Sequence, residues 1–145
     1  MSLRARAESA DGVPFDLSAH EGKCLLVFYE DKDARSQNQP LKDRLWKSMD
    51  QRHGKDALLI VAVADVSAFN WWPARKVVSA AIREESRKLG ATIWCDWDGS
   101  FGREIGAAKG ASNVMVVGRD GAILFKHSGA VPAEEIDRVL AMLPD

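Results

Sequence analysis

Two cysteines are the residues of this sequence best suited to redox or nucleophilic chemistry. Cys24 begins an apolar run, and Cys95 is followed by Asp96 and Asp98. A thiol reacts as its thiolate, which nearby cations or a helix N-terminus stabilise. Burial in an apolar strand favours the neutral thiol at Cys24, and two adjacent carboxylates disfavour the thiolate at Cys95. We therefore expect both to be small structural residues, with Cys95 the candidate for a lone reactive thiol.

Ser36 would need a histidine base within hydrogen-bond reach to act as a nucleophile. The three histidines stand before the first predicted strand, after the first predicted helix and at the end of the predicted hairpin: His20, His53 and His127. None is expected near Ser36, which argues against a serine hydrolase. The run 36–39, Ser-Gln-Asn-Gln, instead fits a capping box at the start of the first helix. Pro40 is compatible with a helix that begins at Ser36 only if the helix kinks at the proline.

Five aspartates follow predicted strands at the sheet edge where ligands bind in open α/β folds. They are Asp31, Asp33, Asp65, Asp96 and Asp98. Several carboxylates together suit a hard divalent cation. However, the run 96–99 is too short for an EF-hand loop, and aspartates are common at strand ends and turns for backbone reasons alone. The sequence therefore predicts no metal and no cofactor.

Five tryptophans are the most unusual feature of the composition, at positions 46, 71, 72, 94 and 97. Trp46 is expected in the core, on the first helix. The other four stand near the ends of the second and third strands, where two interpretations stay open. They either fold over the strand ends and complete the core, or form an exposed apolar patch of the kind that marks interaction surfaces.

Hydrophobic patterns predict the order β-α-β-α-β-β-β-α, with a short helix before the final hairpin. The continuous apolar runs 24–29 and 57–64 indicate strands that are covered on both faces. An Asp-Gly turn within 118–121 separates two further apolar runs, 114–117 and 122–125, and predicts a hairpin. Because strands alternate with helices, the first strands should be parallel, with helices on both faces of the sheet.

The remaining elements follow from helical spacing and turn residues. We predict helices from Leu41 to near His53 and Gly54, from Pro73 to 89, over 101–107 and after Pro132, and a short third strand over 92–95. Residues 1–14 are polar and small and are expected to form a loose lead-in. One domain is expected over 15–145.

Composition and charge exclude several classes of partner. The chain has 145 residues and a formal net charge of -1, which gives no electrostatic basis for binding nucleic acid. No apolar run approaches the roughly 20 residues of a membrane helix, so no membrane association is expected. The N-terminus lacks the apolar stretch of a signal peptide. The compartment stays open: it is cytoplasmic for the sequence as written, and periplasmic if a signal peptide has been removed.

The order of elements and four local runs resemble the thioredoxin-like superfamily, and most of all its TlpA/peroxiredoxin-like branch. The runs are the strand 25–29, the polar segment that leads into Pro40, the turn 118–121 and the last helix with its lead, 129–140. The resemblance covers about residues 13–143. Within it, residues 75–143 look most like YtfJ-type proteins, which carry the fold without its cysteine motif.

This resemblance implies a thioredoxin-like three-layer α/β sandwich with a mixed five-stranded sheet in the order 3-2-1-4-5. It also locates the superfamily's redox site, a Cys-x-x-Cys motif at the start of the first helix, opposite a cis-proline. The residues at the place of the motif are Asp33, Ala34, Arg35 and Ser36, and Ser112 stands at the place of the cis-proline. In that sheet order Cys24 and Cys95 lie two strands apart, at least about 10 Å, which is too far for a disulfide.

The expected function is therefore that of a non-catalytic thioredoxin-fold module with a degenerate redox site. Its contact surface would be the tryptophan-rich edge beside the vestigial site, formed by Trp71, Trp72, Trp97 and Asp96, and its ligand a protein, a peptide or a small molecule. The alternative is a thiol-dependent oxidoreductase or peroxidase that uses Cys95 as a lone cysteine. The chain is expected to be a monomer or a weak homodimer.

Overall fold

Five strands form one mixed sheet in the computed structural model, which describes residues 6–53 and 55–145. The strands are β1 (Cys24–Glu30), β2 (Leu58–Asp65), β3 (Ile93–Asp96), β4 (Asn113–Val117) and β5 (Ile123–Ser128). Their order in the sheet is β3-β2-β1-β4-β5. β1, β2 and β3 are parallel, and β4 is antiparallel to both β1 and β5. The predicted strand order and the mixed sheet are confirmed.

Within the described residues, four α-helices accompany the sheet. They are α1 (Gln39–Met49), α2 (Ala74–Leu89), α3 (Ser100–Ile105) and α4 (Ala133–Met142), with 3-10 turns at Leu17–His20, Lys55–Ala57 and Ser67–Phe69. Every predicted element is present, with bounds shifted by a few residues, and α3 is the predicted short helix before the hairpin. No helix in the described part of the chain is long and apolar enough to cross a membrane.

β1 occupies the centre of the sheet, and its position explains its continuous apolar sequence. Leu26 and Phe28 face one layer, where they pack with side chains of α1 and α4. Val27 faces the other layer, where it packs with Phe101 of α3. Because a central strand is covered on both faces, its residues are apolar until Glu30 at its end.

The N-terminal segment is attached to the β3 edge of the sheet. The backbone of Glu8 pairs with that of Cys95 through hydrogen bonds of 3.1 and 2.6 Å. Phe15 is buried edge-on to Trp94, with 5.1 Å between the ring centroids. The described part of the expected lead-in, residues 6–14, is therefore packed against the sheet rather than loose, and residues 1–5 lie outside the described residues. The domain bounds themselves stay a prediction.

α2 is the least buried of the helices. All of its residues are described, and none is fully buried. Val78 and Ile82 are partly buried against Val66, Cys95 and Trp97. The helix thus covers the edge strand β3 with a narrow apolar stripe, and most of its remaining surface faces solvent.

Two predictions for α1 are wrong. Trp46, expected in the core, is 52% exposed. Leu45 faces the sheet, and the next residue is rotated by about 100° around the helix. Ser36 does not cap the helix: it is exposed, and the N-cap is Asn38. Pro40 lies in the first turn, where a backbone N–H would lack a helical acceptor and its absence costs nothing.

Leu26→Ala and Trp46→Ala test this division between core and surface. Leu26 is fully buried in the central strand, so its truncation should lower the free energy of unfolding by about 2–5 kcal/mol. Trp46→Ala removes a larger but half-exposed side chain and should cost less than about 1 kcal/mol. Urea denaturation followed by circular dichroism measures both. A larger loss for Trp46→Ala than for Leu26→Ala would contradict this placement.

Candidate functional site

Four strands bring polar side chains to one edge of the sheet. The parallel strands β1, β2 and β3 end there with Glu30, Asp65 and Asp96, and the antiparallel β4 begins there with Asn113. Asp65 is paired in register with Asp96. We call this set of strand ends the polar edge. It is the first candidate site because ligands bind at the carboxyl ends of strands in open α/β sheets.

A network of buried hydrogen bonds fills one half of the polar edge, between the turn before α1 and the turn before β4. Its central residues are Asn38 and Ser112, both buried. The Asn38 amide donates to Ser112 Oγ at 2.7 Å and to the carbonyl of Gly129 at 3.1 Å. The Asn38 side-chain oxygen accepts from the N–H of Val131 at 2.8 Å. We call this the Asn38–Ser112 network, and it ties the start of α1 to two loops that are distant in sequence.

Glu30 and Lys42 extend the network into a charged pair. Ser112 Oγ donates to the Glu30 carboxylate, and Lys42 Nζ donates to the same carboxylate at 2.8 Å. Lys42 Nζ also donates to the carbonyl of Arg35 at 2.6 Å and lies 5.3 Å from the centre of the Phe28 ring. The carboxylate at the end of β1 is therefore neutralised by the protein itself and is not presented to a ligand.

Among the residues at the expected place of the cysteine pair, no side chain joins this network, and its contact with them is the hydrogen bond from Lys42 to the Arg35 carbonyl. Asp33, Arg35 and Ser36 are exposed, and Ala34 is buried. Ser112, at the expected place of the cis-proline, is a central member of the Asn38–Ser112 network. Of the five positions at which the resemblance implies the redox site, Ser112 is the one whose side chain takes part in the network.

Sequence reasoning missed Asn38, Glu30 and Lys42. Asn38 stands in a run of polar residues, where nothing distinguishes it from its neighbours. The usable signal is at Glu30, because a charge at the end of a buried strand needs a partner if it is not solvated. Its partners could not be identified from spacing, since Lys42 is 12 residues away and Ser112 is 82 residues away.

Both cysteines are free and buried. Cys24 is 3% exposed and Cys95 is 1% exposed, and they stand on β1 and β3, with β2 between them. Burial raises the pKa of the Cys24 thiol. The pKa of the Cys95 thiol is raised to about 11, mainly because the thiol is buried and secondly because the Glu8 carboxylate is nearby. The expectation of free thiols is confirmed, and both favour the neutral form near neutral pH.

Asp96 is buried, which corrects its assignment to a contact surface. Its Oδ2 accepts from the Tyr29 hydroxyl at 2.6 Å and from the N–H of Gly102 at 3.0 Å, because α3 folds over the end of β3. A Cβ on Gly102 would lie 2.6 Å from the Tyr29 hydroxyl oxygen, so this approach requires glycine. The pKa of the Tyr29 hydroxyl is held well above its usual range, mainly because the hydroxyl is buried and secondly because it donates to the Asp96 carboxylate. Among the described residues, no three His, Cys, Asp or Glu side chains converge as metal ligands.

The four tryptophans near the strand ends divide into two pairs. Trp94 is partly buried and Trp97 is buried, with the Arg75 guanidinium 4.5 Å from the centre of the Trp97 ring. Trp71 and Trp72 are 59% and 84% exposed. Trp97 therefore does not contribute to the predicted exposed surface, because Arg75 and α2 cover it. The exposed patch consists of the other pair.

A shallow groove of about 660 Å³ runs beside Trp71 and Trp72. Its walls also include Asn70 and three basic side chains of α2, at positions 75, 76 and 83. We call it the Trp71–Trp72 groove. The groove adjoins the polar edge, because the loop that carries Trp71 and Trp72 begins where β2 ends. The peptide bond between Trp72 and Pro73 is cis. Unlike the Asn38–Ser112 network, the groove is open to solvent.

The fold is that of thioredoxin-like proteins. The structure is similar to a secreted Mycobacterium tuberculosis disulfide oxidoreductase described as homologous to Escherichia coli DsbE, with 16% identity, a TM-score of 0.64 and 97% of each chain covered. It is also similar to a putative DsbE thiol:disulfide interchange protein from Chlorobium tepidum, with 18% identity, a TM-score of 0.67, and 97% and 94% of the two chains covered.

A third similar structure is the bacterioferritin comigratory protein of Xanthomonas campestris, described with its alkyl peroxide reduction activity. It has 16% identity, a TM-score of 0.61, and 97% and 90% of the two chains covered. No protein-family model matches the sequence, and no curated protein is significantly similar to it. The likeness confirms the predicted thioredoxin-like fold, of the kind found in DsbE-like and peroxiredoxin-type proteins.

Asn38→Ala tests whether the Asn38–Ser112 network holds the polar edge together. The variant removes the partner of the buried Val131 N–H, so it should lower the free energy of unfolding by about 1–3 kcal/mol. Ser36→Ala, two residues earlier and exposed, is the matched control and should change it by less than about 0.5 kcal/mol. Urea denaturation measures both. If both variants lower the free energy of unfolding by the same small amount, the network does not stabilise the fold.

Proposed function

We propose that this chain is a thioredoxin-fold binding module that performs no thiol chemistry and holds a ligand at the Trp71–Trp72 groove. The observation that carries the proposal is the Asn38–Ser112 network. It holds Ser112, at the place where the resemblance to thioredoxin-like proteins implies a cis-proline, by hydrogen bonds to Asn38 and Glu30. Through Lys42 it also contacts the main chain of Arg35, at the place where the resemblance implies a redox cysteine pair.

Thiol chemistry at this position would need a sulfur that the chain does not supply there. Residues 31–39 contain no cysteine. Disulfide exchange needs an accessible thiolate that can attack in line with a disulfide. Cys24 and Cys95 are both buried, and the pKa of each thiol is raised. These properties favour structural cysteines over catalytic ones.

The exposed tryptophan pair favours the groove as the place where a ligand binds. A single exposed apolar side chain is ordinary on a protein surface. Two adjacent tryptophans, with Trp72 84% exposed, both line the same groove. Tryptophan is enriched among the residues that dominate binding energy, because its large ring loses little conformational freedom when it is covered.

An oxidoreductase or peroxidase that uses Cys95 as a lone thiol is the second candidate. It is favoured by the activities named for the structures of similar fold, which are disulfide oxidoreductases and a peroxide-reducing protein. This function would require Cys95 to become accessible, which means that the backbone pairing with Glu8 must open. The two candidates therefore differ in the reactivity of one sulfur.

Thiol labelling with Ellman's reagent separates the two functions. A rise in pKa from about 9 to about 11 lowers the thiolate fraction of Cys95 roughly 100-fold near neutral pH. Because the thiolate reacts, labelling at pH 7 should be slow in the native protein, complete in denaturant, and still rising with pH above 9. Rapid labelling at pH 7 that is lost in Cys95→Ser and retained in Cys24→Ser would contradict the proposal and support the enzyme.

Selection from a phage-displayed dodecapeptide library tests the groove itself. Peptides enriched on the immobilised chain should bind the wild type and Trp46→Ala, and should lose binding to the double variant Trp71→Ala/Trp72→Ala. Trp46 is the matched control because it is an exposed tryptophan on α1, a different element. Circular dichroism verifies that each variant is folded. Peptides that bind the double variant as well as the wild type would place the contact surface elsewhere.

A further inference from the structure

On the basis of the proposed function, we infer that the Trp71–Trp72 groove takes an acidic peptide segment that carries a bulky apolar side chain. The inference rests on how charge is distributed around the groove, on internal contacts that already have this chemistry, and on the exposed tryptophan rings beside the charges.

The groove is locally basic although the chain as a whole is not. Residues 66–83 contain Arg75, Lys76 and Arg83 and no aspartate or glutamate, whereas the chain has a formal net charge of -1. All three cations line the groove. A surface of one sign attracts partners of the other sign and rejects those of its own.

Two carboxylates of the N-terminal segment already occupy part of this surface. Glu8 Oε1 lies 2.8 Å from Arg75, and Asp11 Oδ1 lies 2.8 Å from Arg83. Both pairs are exposed, and exposed ion pairs are weak enough to exchange with other carboxylates. Arg75 is also held by Asn70 Oδ1 at 2.8 Å, so its guanidinium is positioned before any ligand arrives.

Lys76 is the cation best placed to attract a new carboxylate. Among the described residues it forms no ion pair and no side-chain hydrogen bond, in contrast to Arg75 and Arg83. It lies in the first turn of α2, which contains no acidic residue. The partial positive charge of a helix N-terminus is therefore not compensated there, and it adds to the attraction for an anion.

The tryptophan rings supply the apolar half of the contact. Trp71 and Trp72 stand at the start of the groove, with the cations further along α2. Covering these rings with a leucine or phenylalanine side chain would remove apolar area from water. A segment with an apolar residue flanked by carboxylates matches both features at once.

A peptide fits the groove better than a nucleic acid does. Binding to nucleic acid depends on many cations that neutralise successive phosphates. This surface has three cations, two of which are already paired within the chain. Three cations are enough to pair with a peptide that has a few carboxylates.

Two matched hexapeptides test the inference: acetyl-Glu-Asp-Leu-Phe-Asp-Glu-amide and acetyl-Lys-Arg-Leu-Phe-Arg-Lys-amide. Each is titrated into the ¹⁵N-labelled chain while the tryptophan indole signals are followed by NMR, with Trp71 and Trp72 assigned by single Trp→Phe variants. The acidic peptide should shift the signals of Trp71 and Trp72 and leave that of Trp46 unchanged. Its affinity should exceed that of the basic peptide by about tenfold or more at low salt.

Lys76→Glu and Lys47→Glu make the same change of charge at two places. Lys76→Glu should weaken binding of the acidic peptide about tenfold, whereas Lys47→Glu, on the exposed face of α1, should leave it unchanged. Equal affinity for the two peptides, or preference for the basic one, would overturn the inference and leave the groove as a binding site. A response to a decathymidylate strand but not to the acidic peptide would overturn it in favour of nucleic acid.

The absence of any shift at Trp71 and Trp72 with either peptide would also overturn this inference. In that case the library selection and the thiol labelling decide independently whether the proposed function stands.

Discussion

The side chain of Asn38 makes the hydrogen bonds on which the arrangement of the polar edge depends. Ser112 Oγ, the carbonyl of Gly129 and the N–H of Val131 all come together around one amide. Buried polar groups need partners within the protein, because water cannot reach them. Once Asn38 satisfies these groups, the hydroxyl of Ser112 is free to donate to the carboxylate that ends β1, and Lys42 neutralises that carboxylate from the other side. These polar groups thus find their partners within the protein.

The other half of the polar edge is closed in a different way. There α3 folds over the end of β3, and the buried Asp96 receives a hydroxyl and a backbone N–H. In both halves the polar groups point inward and form hydrogen bonds within the protein. The strand ends therefore expose few polar groups that lack a partner. The open surface lies beside α2. This helix covers β3 with a narrow apolar stripe, and its basic side chains and the two tryptophans before it remain exposed. The solvent-exposed groove therefore lies beside α2 and not at the strand ends.

The fold was predictable because its signals are local, whereas the site depends on contacts across the chain. Continuous apolar runs indicate β1 and β2, and an Asp-Gly turn indicates the hairpin of β4 and β5. Trp46 is expected in the core because it stands beside the apolar residues of the first helix, but the rotation of α1 places Leu45 inward and turns its neighbour out. Asn38 was not identified because its partners are 74 to 93 residues away. The two kinds of tryptophan were not separable from spacing, since the cover over Trp97 comes from Arg75 on a different element.

The pairing of Glu8 with Cys95 limits how copies of this sheet can join. β3 has four residues, and part of its outer backbone is already bonded to the N-terminal segment. The opposite border, β5, has six residues and no such cover in the described part of the chain. Two chains that met along β5 would make one continuous sheet whose outer borders were both β3. Because those borders are short and partly occupied, they would offer little free backbone for the pairing of a third copy.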